Sequence, residues 1–204
     1  MKLLLFSDLH TDTTAARLLV ERARSVDVVI GAGDFGTVRR HVRNCIDVLR
    51  AIDKPAVLVA GNNESTEELL DACQDWPHAN VLHGSGMRIG GVDFFGLGGG
   101  IPVTPFGAWS YDFTEEHAAQ LLSGCPAGGV LVSHSPPKGA VDVSSTGRSL
   151  GSVAVRDAVL RLRPRLVVCG HIHESQGQQA MLGLSPVVNA GPKGVVWELQ
   201  QVAE

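Results

Sequence analysis

The sequence predicts an α/β fold with mixed sheets, in which two sheets are stacked between helices. Short, near-continuous apolar segments alternate with amphipathic helical segments along most of the chain, which is typical of parallel strands buried on both faces. The C-terminal segments instead indicate short antiparallel strands. Apolar residues make up 44% and charged residues 19% of the 204 residues, so a buried core is expected and disorder is not. We expect residues 1–204 to form a single domain.

The strands are predicted from β-branched and leucine-rich runs that are bounded by glycine or polar residues. The buried strands are expected at residues 3–6, 28–30, 56–59, 130–132 and 166–169. A hairpin is expected from residues 87–89 and 92–95 around a Gly-Gly turn, and short antiparallel strands at residues 178–182, 187–189 and 195–199.

The helices are predicted between the strands from apolar residues at helical spacing. They are expected at residues 13–24 with Thr13 as the cap, at 38–51, from 65 onward, at 114–122 and at 152–162. Ser65 and Glu68 have the spacing of a capping box. Two long loops remain, at residues 96–113 and 135–151, and loops of this length in a small domain are usually functional or mobile.

Composition excludes several classes of function. The net charge of −4 argues against a protein that binds duplex nucleic acid through a basic face, and the 5% of aromatic residues disfavours a base-stacking platform. No apolar run reaches the length of a membrane span, and the short N-terminal run is interpreted as a strand, not as a signal peptide. Four scattered cysteines without a C-x-x-C pair favour free thiols in a reducing, cytoplasmic setting.

Polar side chains follow each of the five buried strands, at the point where the strand ends. They are Asp8, His10, Asp34, Asn62, His134, His171 and His173. Since ligands bind at the carboxyl ends of strands in open α/β sheets, we expect these seven side chains to meet at one place. The glycines before Asp34, Asn62 and His171 are expected to allow sharp turns there.

These residue types predict a metal site. Carboxylates, an amide oxygen and imidazoles suit Mn²⁺, Fe²⁺ or Zn²⁺ better than Ca²⁺, and seven ligands fit two ions that share one carboxylate. Each piece alone has a more ordinary explanation, because Asp-x-His is often a cap and Gly-Asp or Gly-Asn is often a turn. The occurrence of all five pieces at successive strand ends favours the metal site.

The set Asp8-x-His10, Gly33-Asp34, Gly61-Asn62, His134 and Gly170-His171-x-His173 resembles the calcineurin-like metallophosphoesterase superfamily. The segments around His134 and His171 are similar to those of the small Icc-type phosphodiesterases. The resemblance implies a four-layer α/β-β/α sandwich of two mixed sheets flanked by helices. It implies two divalent metal ions, with Mn²⁺ favoured and Fe, Zn, Ni or Mg as alternatives.

The resemblance also implies ligand sets and an activity. One ion would take Asp8, His10, Asp34 and His173, and the other would take Asp34, Asn62, His134 and His171, with Asp34 as the bridge. The implied activity is hydrolysis of phosphodiesters or activated phosphate esters by attack of a metal-bound hydroxide, with Asp34, Asn63 and His134 as the catalytic residues. The implied partner is a small phosphoester, with nucleotides among the candidates, and neither a nucleic-acid duplex nor a membrane.

The sequence departs from the family pattern at one position. Many members carry a histidine where Asn63 stands, and that histidine is thought to protonate the leaving group. An amide cannot be a proton donor of matched pKa, so we expect Asn63 to offer at most a hydrogen bond to a phosphoryl oxygen. Esters with poor leaving groups should therefore react slowly.

The two long loops carry candidate substrate contacts, each with a structural alternative. Lys138 and Arg148 are candidates for phosphate contact or plain loop charges, and Phe106, Trp109 and Tyr111 either stack on a substrate or pack their loop. His41, His78, His83 and His117 match no motif and are expected at the surface or in packing contacts. Without an inserted cap, the site should be shallow and open. A non-catalytic metal-binding scaffold is the rival hypothesis, and a metal-dependent amidohydrolase barrel is disfavoured by the short chain.

Overall fold

Apolar strands of the chain assemble into two β-sheets that lie face to face, with helices on both outer surfaces. The computed structural model describes residues 1–200. The strands are β1 Lys2–Phe6, β2 Val28–Ala32, β3 Ala56–Val59, β4 Ala79–Val81, β5 Ser85–Ile89, β6 Val92–Leu97, β7 Val130–Ser133, β8 Leu166–Cys169, β9 Gln179–Leu182, β10 Ser185–Asn189 and β11 Val195–Glu198. The helices are α1 Thr13–Ala23, α2 Val42–Leu49, α3 Thr66–Ala72, α4 Glu115–Leu121 and α5 Val153–Leu162.

Both sheets are mixed. The first has the order β11-β1-β2-β3-β4, in which β1 to β4 are parallel and β11 is antiparallel to β1. The second has the order β5-β6-β7-β8-β10-β9, in which the four central strands are parallel and the two edge strands are antiparallel. In each sheet the parallel strands therefore end along one edge.

Three apolar layers hold the sheets and helices together. Alternate residues of β1 point to opposite faces, so Leu4 packs toward the helices while Leu3 and Leu5 pack between the sheets. A third layer, around Leu131 and Val159, joins the second sheet to α4 and α5. This four-layer sandwich is the predicted architecture, and the burial of the strands on both faces is confirmed.

The prediction of a helix over residues 38–51 is wrong at its start, because α2 begins at Val42. Val38, Arg39 and His41 have positive φ angles of 48°, 61° and 63°. The backbone N–H of Val38 donates to the side-chain oxygen of Asn63 at 2.8 Å, and the N–H of Arg39 donates to the Asn63 carbonyl at 2.9 Å. Because these donors are already satisfied by the loop after β3, the segment does not need a helix.

Smaller differences concern caps and strand partners. Asp12, not Thr13, caps α1, because its carboxylate accepts from the N–H groups of Thr14 and Ala15 at 2.9 Å each. The capping box of Ser65 and Glu68 is confirmed. The hairpin β5–β6 is confirmed, whereas β10 pairs with β8 in parallel as well as with β9 in antiparallel fashion. The short strand β4 carries too little pattern to be recognised from the sequence.

The helices are short and the cysteines are unpaired throughout residues 1–200. No helix in this part of the chain combines the length and the apolar character needed to cross a membrane. The four cysteines are free, as their spacing predicted, and the structure shows in addition that all four are buried.

Candidate metal centre

All seven polar side chains that follow the predicted strands meet at one edge of the sandwich. Asp8 and His10 come after β1, Asp34 after β2, and Asn62 after β3 of the first sheet. The second sheet contributes the rest: His134 after β7, and His171 and His173 after β8. The two sheets expose the ends of their parallel strands on the same side, and this brings together residues that are far apart in the chain.

One group of potential ligands contains Asp8, His10 and His173, whose ligand atoms lie within 4.8 Å of one another. The Nε2 atoms of His10 and His173 are 3.1 Å apart, and Nε2 of His173 is 3.8 Å from Oδ1 of Asp8. Asp8 is buried, whereas His173 is about half exposed at 53%. This group therefore opens to solvent on the histidine side.

Asp34 lies between this group and the remaining histidines. Its Oδ2 is 3.5 Å from Nε2 of His10, and its Oδ1 is 3.5 Å from Nε2 of His134. The side-chain oxygen of Asn62 lies 3.3 Å from Nε2 of His134 and 3.1 Å from Nδ1 of His171. Asp8, Asp34 and His134 also form a group whose ligand atoms lie within 4.8 Å, so the seven side chains make one continuous centre.

The backbone at this centre is strained. Asp8, His10, Asp34 and His171 have φ angles of 55°, 44°, 59° and 67°, in the left-handed region that non-glycine residues rarely adopt. Backbone hydrogen bonds compensate, because Asp8 N donates to Gly33 O and His10 N to Asp34 O, both at 2.9 Å. The turns are thus held in place by one another.

The expectation that glycine serves sharp turns here is confirmed only for Gly33, which has a φ of 90°. Gly61 and Gly170 do not have the left-handed φ, and they are needed for space. A Cβ at Gly61 would collide with the Asp34 carboxylate, and one at Gly170 would lie 2.6 Å from Oδ2 of Asp8. Both glycines allow the buried carboxylates to reach the centre.

The charges of the centre fit divalent cations. Neither Asp8 nor Asp34 pairs with a lysine or arginine of residues 1–200, although both are buried. Burial, and then the charge of Asp8, raises the pKa of Asp34 to about 8. Two carboxylates without a positive partner form an unfavourable cluster that bound cations would relieve.

Burial favours the neutral, metal-binding form of two of the site histidines, His10 and His171. Burial, followed by the neighbouring His134, lowers the pKa of His171 to about 3, and burial also lowers the pKa of His10. Nδ1 of His134 lies 2.7 Å from the carbonyl oxygen of Ala32, to which it can only donate. This contact fixes the tautomer that leaves the Nε2 lone pair facing Asp34. Neutral imidazoles with a free lone pair are good ligands for divalent ions.

The Asn63 side chain contacts the candidate bridging carboxylate. Its Nδ2 donates to Oδ2 of Asp34 at 2.8 Å, its backbone N–H donates to Oδ1 of Asp34 at 2.9 Å, and its Oδ1 accepts from Val38 N. Both oxygens of Asp34 are therefore oriented by one residue. Asn63 also lines the cleft described below.

Glu64 is a residue that sequence reasoning missed. It is fully buried, and its carboxylate accepts from the backbone N–H groups of Asp34, Gly36 and Gly61 at 2.8, 3.0 and 2.7 Å. It thus ties the turn after β2 to the turn after β3. The sequence offered one signal for Glu64, namely an acidic residue in a strand-end motif with no basic residue next to it. Its role depends on burial, which the sequence does not show.

Further polar residues support the other turns. The amide of Asn189, in β10, donates to the carbonyls of Gly170 and Ile172 at 3.1 and 3.0 Å, which holds the segment between His171 and His173. Asn62 donates to the hydroxyl of Ser110 at 3.0 Å. These contacts come from distant parts of the chain and carry no sequence motif.

A cleft of about 610 Å³ adjoins the centre, and the two long loops form its walls. Loops at residues 101–109 and 144–150 line it without an inserted cap, and the cleft stays open to solvent on one side, as expected. Of the candidate substrate contacts, Phe106, Trp109 and Arg148 line this cleft. Lys138 instead donates to the carbonyl of Ser149 at 3.1 Å.

The histidines outside the motifs lie where the sequence predicts. His41, His78 and His117 are exposed. His83 packs against Phe113 with ring centroids 4.9 Å apart, and its Nδ1 accepts from Gly98 N. None of these four is among the grouped potential ligands of residues 1–200.

A comparison with protein families identifies one match across nearly the whole chain. The sequence model of the calcineurin-like phosphoesterase superfamily domain matches residues 1–202. A search of curated proteins finds no match.

Solved structures of similar fold include several phosphoesterases. Protein TT1561 of Thermus thermophilus is 18% identical, with a TM-score of 0.76 over 98% of this chain and 99% of that chain. A dimetal phosphatase from Danio rerio is 13% identical, with a TM-score of 0.59 over 93% and 86% of the two chains. The phosphopantetheinyl hydrolase of Mycobacterium tuberculosis is 16% identical, with a TM-score of 0.55 over 93% and 88%. At these identities the likeness establishes the fold, which is the predicted one.

Removal of the Glu64 carboxylate should destabilise the protein. In Glu64→Ala, three buried N–H groups lose their acceptor, and each orphaned donor costs about 1–3 kcal/mol. We expect the free energy of unfolding, measured by urea denaturation, to fall by about 3 kcal/mol or more. Glu67→Ala, at an exposed position three residues away, should change it by less than about 0.5 kcal/mol. Equal stability of the two variants would contradict the role of Glu64.

The metal-free protein should lose stability as the pH rises. Burial raises the pKa of Asp34 from 3.8 to about 8 and that of Glu64 from 4.5 to about 7. Because both folded-state values exceed the unfolded ones, this stability is full below about pH 4 and is lost as the pH passes through 7 and 8. We expect the Tm in EDTA to fall between pH 5 and 8, and saturating Mn²⁺ to reduce the fall. A Tm in EDTA that rises over this window would contradict the prediction.

Proposed function

The chain belongs to the calcineurin-like phosphoesterase superfamily, and on that premise we propose that it is a metal-dependent hydrolase of phosphodiesters and activated phosphate esters. The observation that carries the proposal is the convergence of two buried carboxylates, one amide and four imidazoles at one sheet edge. The dimetal phosphatase and the phosphopantetheinyl hydrolase of similar fold support the same chemistry.

We propose two ion sites that share Asp34. The first would use Asp8, His10, Asp34 and His173, and the second Asp34, Asn62, His134 and His171. The equal distances of 3.5 Å from the two Asp34 oxygens to His10 and His134 support Asp34 as the bridging ligand. Four imidazoles with oxygen donors favour Mn²⁺, Fe²⁺ or Zn²⁺, and Mn²⁺ is the ion we propose first, with Ni²⁺ and Mg²⁺ as alternatives.

When bound, two such ions supply an activated water as nucleophile and neutralise charge on the phosphoryl oxygens. The residues of the chain orient this chemistry. Asn63 and the Glu64-linked turns hold Asp34, and the Ala32 carbonyl holds the ring of His134. The Nδ2 atom of Asn63 carries a second N–H, which we propose to donate to a phosphoryl oxygen. Contacts of this kind position the ester before it reacts.

The leaving group must depart without a proton from position 63. An amide has no pKa near neutrality, so Asn63 cannot protonate a leaving oxygen. Aryl and nucleotide leaving groups tolerate this because they are stable as anions. The cleft volume of about 610 Å³ is large enough for organic substituents much bigger than the phosphoryl group, which supports diesters over small monoesters.

Loss of the bridging carboxylate should abolish activity. We expect Asp34→Asn and His134→Ala to lower kcat/KM for bis(4-nitrophenyl) phosphate with added Mn²⁺ by more than about 100-fold, since each removes a ligand of the proposed ion pair. Metal content should fall in parallel, as measured by elemental analysis. Leu184→Ala, at a position 75% exposed and outside the cleft, is the matched control and should retain full activity.

The rival function is a metal-binding scaffold without catalysis. It predicts stoichiometric metal uptake by the wild type together with no hydrolysis of aryl diesters, cyclic nucleotides or monoesters. That result would overturn the hydrolase proposal.

A histidine at position 63 should extend the range of leaving groups. In Asn63→His, an imidazole of suitable pKa stands where the amide was, so we expect the rate for an alkyl ester to rise relative to that for an aryl ester by about 10-fold or more. Asn63→Ala controls for the lost contact with Asp34 and should slow both substrates alike. An unchanged ratio of alkyl to aryl rates in Asn63→His would argue against a missing acid.

A further inference from the structure

The aromatic side chains of the loop between β6 and α4 fall into two groups with different surroundings. Tyr111 and Phe113 pack the loop onto the domain, with ring centroids 4.9 Å apart and the Tyr111 hydroxyl 3.2 Å from that of Thr66. Phe106 and Trp109 instead line the cleft, and Phe106 remains 52% exposed. Loop packing therefore explains the first pair and leaves the second without a structural role.

Phe106 and Trp109 stack against each other, and both rings line the cleft, so the pair presents an aromatic face to a ligand. Their ring centroids are 5.7 Å apart and their planes differ by only 15°, which is a stacked arrangement. Val103, 59% exposed, belongs to the same wall, and Leu150, 43% exposed, stands among the cleft-lining residues of the second loop. Exposed apolar groups on two walls of a cleft of this volume are typical of a site for an organic ligand.

The aromatic wall is connected to the metal centre by hydrogen bonds. The carboxylate of Asp112 accepts from the Thr104 N–H and hydroxyl at 2.8 and 2.6 Å and from the Ser110 hydroxyl at 2.8 Å, and it thereby closes the segment that carries both rings. The Ser110 oxygen in turn accepts from Asn62 at 3.0 Å. These hydrogen bonds fix the position of the segment with Phe106 and Trp109 relative to Asn62, a candidate metal ligand.

The second loop contributes a cation to the cleft. Arg148 lines the cleft and makes no ion pair within residues 1–200, and the exposed Glu174, next to His173 in the chain, lines it as well. An unpaired guanidinium favours an anionic ligand and also stacks on aromatic rings.

From these observations we propose that the cleft binds a planar aromatic group of the substrate. This group would stack on the Phe106–Trp109 pair while the phosphoryl group of the substrate lies at the metal centre. The substrate class is thus an aromatic phosphoester, with either an aryl group or a nucleobase as the ring. The inference rests on the proposed function for the place of the phosphoryl group, and it is tested by binding so that its failure is separable from the absence of catalysis.

The test measures binding of unreactive phosphonates to the Mn²⁺-loaded protein by isothermal titration calorimetry. Phenyl-, cyclohexyl- and methylphosphonate share the anionic group and differ in the substituent. We expect phenylphosphonate to bind about 10-fold more tightly than methylphosphonate, and about 3-fold or more above cyclohexylphosphonate, since stacking needs a flat ring. Equal affinity for phenyl and methyl would overturn the proposal, and equal affinity for phenyl and cyclohexyl would overturn its aromatic specificity.

Single-residue variants test whether Phe106 and Trp109 cause the preference for phenylphosphonate. Trp109→Ala and Phe106→Ala should each lower the phenyl-to-methyl ratio to about 2 or less, Trp109→Tyr should retain most of it, and Leu184→Ala should leave it unchanged. Arg148→Gln should weaken all three phosphonates by a similar factor, because its charge acts on the shared anion. A ratio that survives the loss of both aromatic residues would overturn the assignment.

A second comparison distinguishes the two sources of the ring. Adenosine 5′-monophosphate and ribose 5-phosphate differ only by the nucleobase, so tighter binding of the former by about 10-fold supports a nucleotide substrate. A preference for phenylphosphonate without this difference supports a simple aryl ester. If phenylphosphonate binds more tightly than methylphosphonate but no ester is hydrolysed, the hydrolase proposal fails while the proposed aromatic binding site is supported.

Discussion

The structure depends on two buried carboxylates that have no basic partner among the described residues. Asp8 and Asp34 lie at the ends of adjacent parallel strands, in strained backbone, and within 4 Å of the imidazoles of His10, His134 and His173. Such a cluster is unfavourable unless cations bind, because buried like charges repel one another and have lost their hydration. The surrounding residues act mainly to hold these groups in place. Glu64 joins two of the turns, Asn63 orients both oxygens of Asp34, and glycines leave the space that the carboxylates occupy.

The face-to-face arrangement of two sheets explains how one site draws on the whole chain. Each sheet ends its parallel strands at the same edge, so the first provides Asp8, Asp34 and Asn62, and the second provides His134 and His171. The apolar layer between the sheets fixes their relative position and therefore the distances across the centre. A packing defect in this layer would therefore change the distances between the candidate ligands without altering any of those residues.

The strand ends and the long loops contribute different parts of the site. The potential ligands stand at the ends of strands, where neighbouring turns hold them through backbone hydrogen bonds. The cleft walls stand on two long loops, each organised around one carboxylate: Asp112 in the first and Asp142, which accepts from Gly139, Ser149 and Gly151, in the second. Loops of this kind vary more easily than strand ends, so under the proposed function the loops would select the ester while the strand ends would hold the metal ligands.

The order of the strands and helices apart from β4, the candidate ligands and the family could be predicted from the sequence. Buried parallel strands are apolar on both faces, and the residues at their ends stand next to them in the chain. The start of α2, the parallel pairing of β10 with β8, and the roles of Glu64 and Asn189 could not be predicted. They depend on hydrogen bonds to residues distant in sequence, as when Asn63 satisfies Val38 and Arg39 and so removes the need for a helical turn. The cleft likewise arises only when two loops from different parts of the chain approach each other. Local pattern specifies which residues are available, and three-dimensional proximity decides which of them act together.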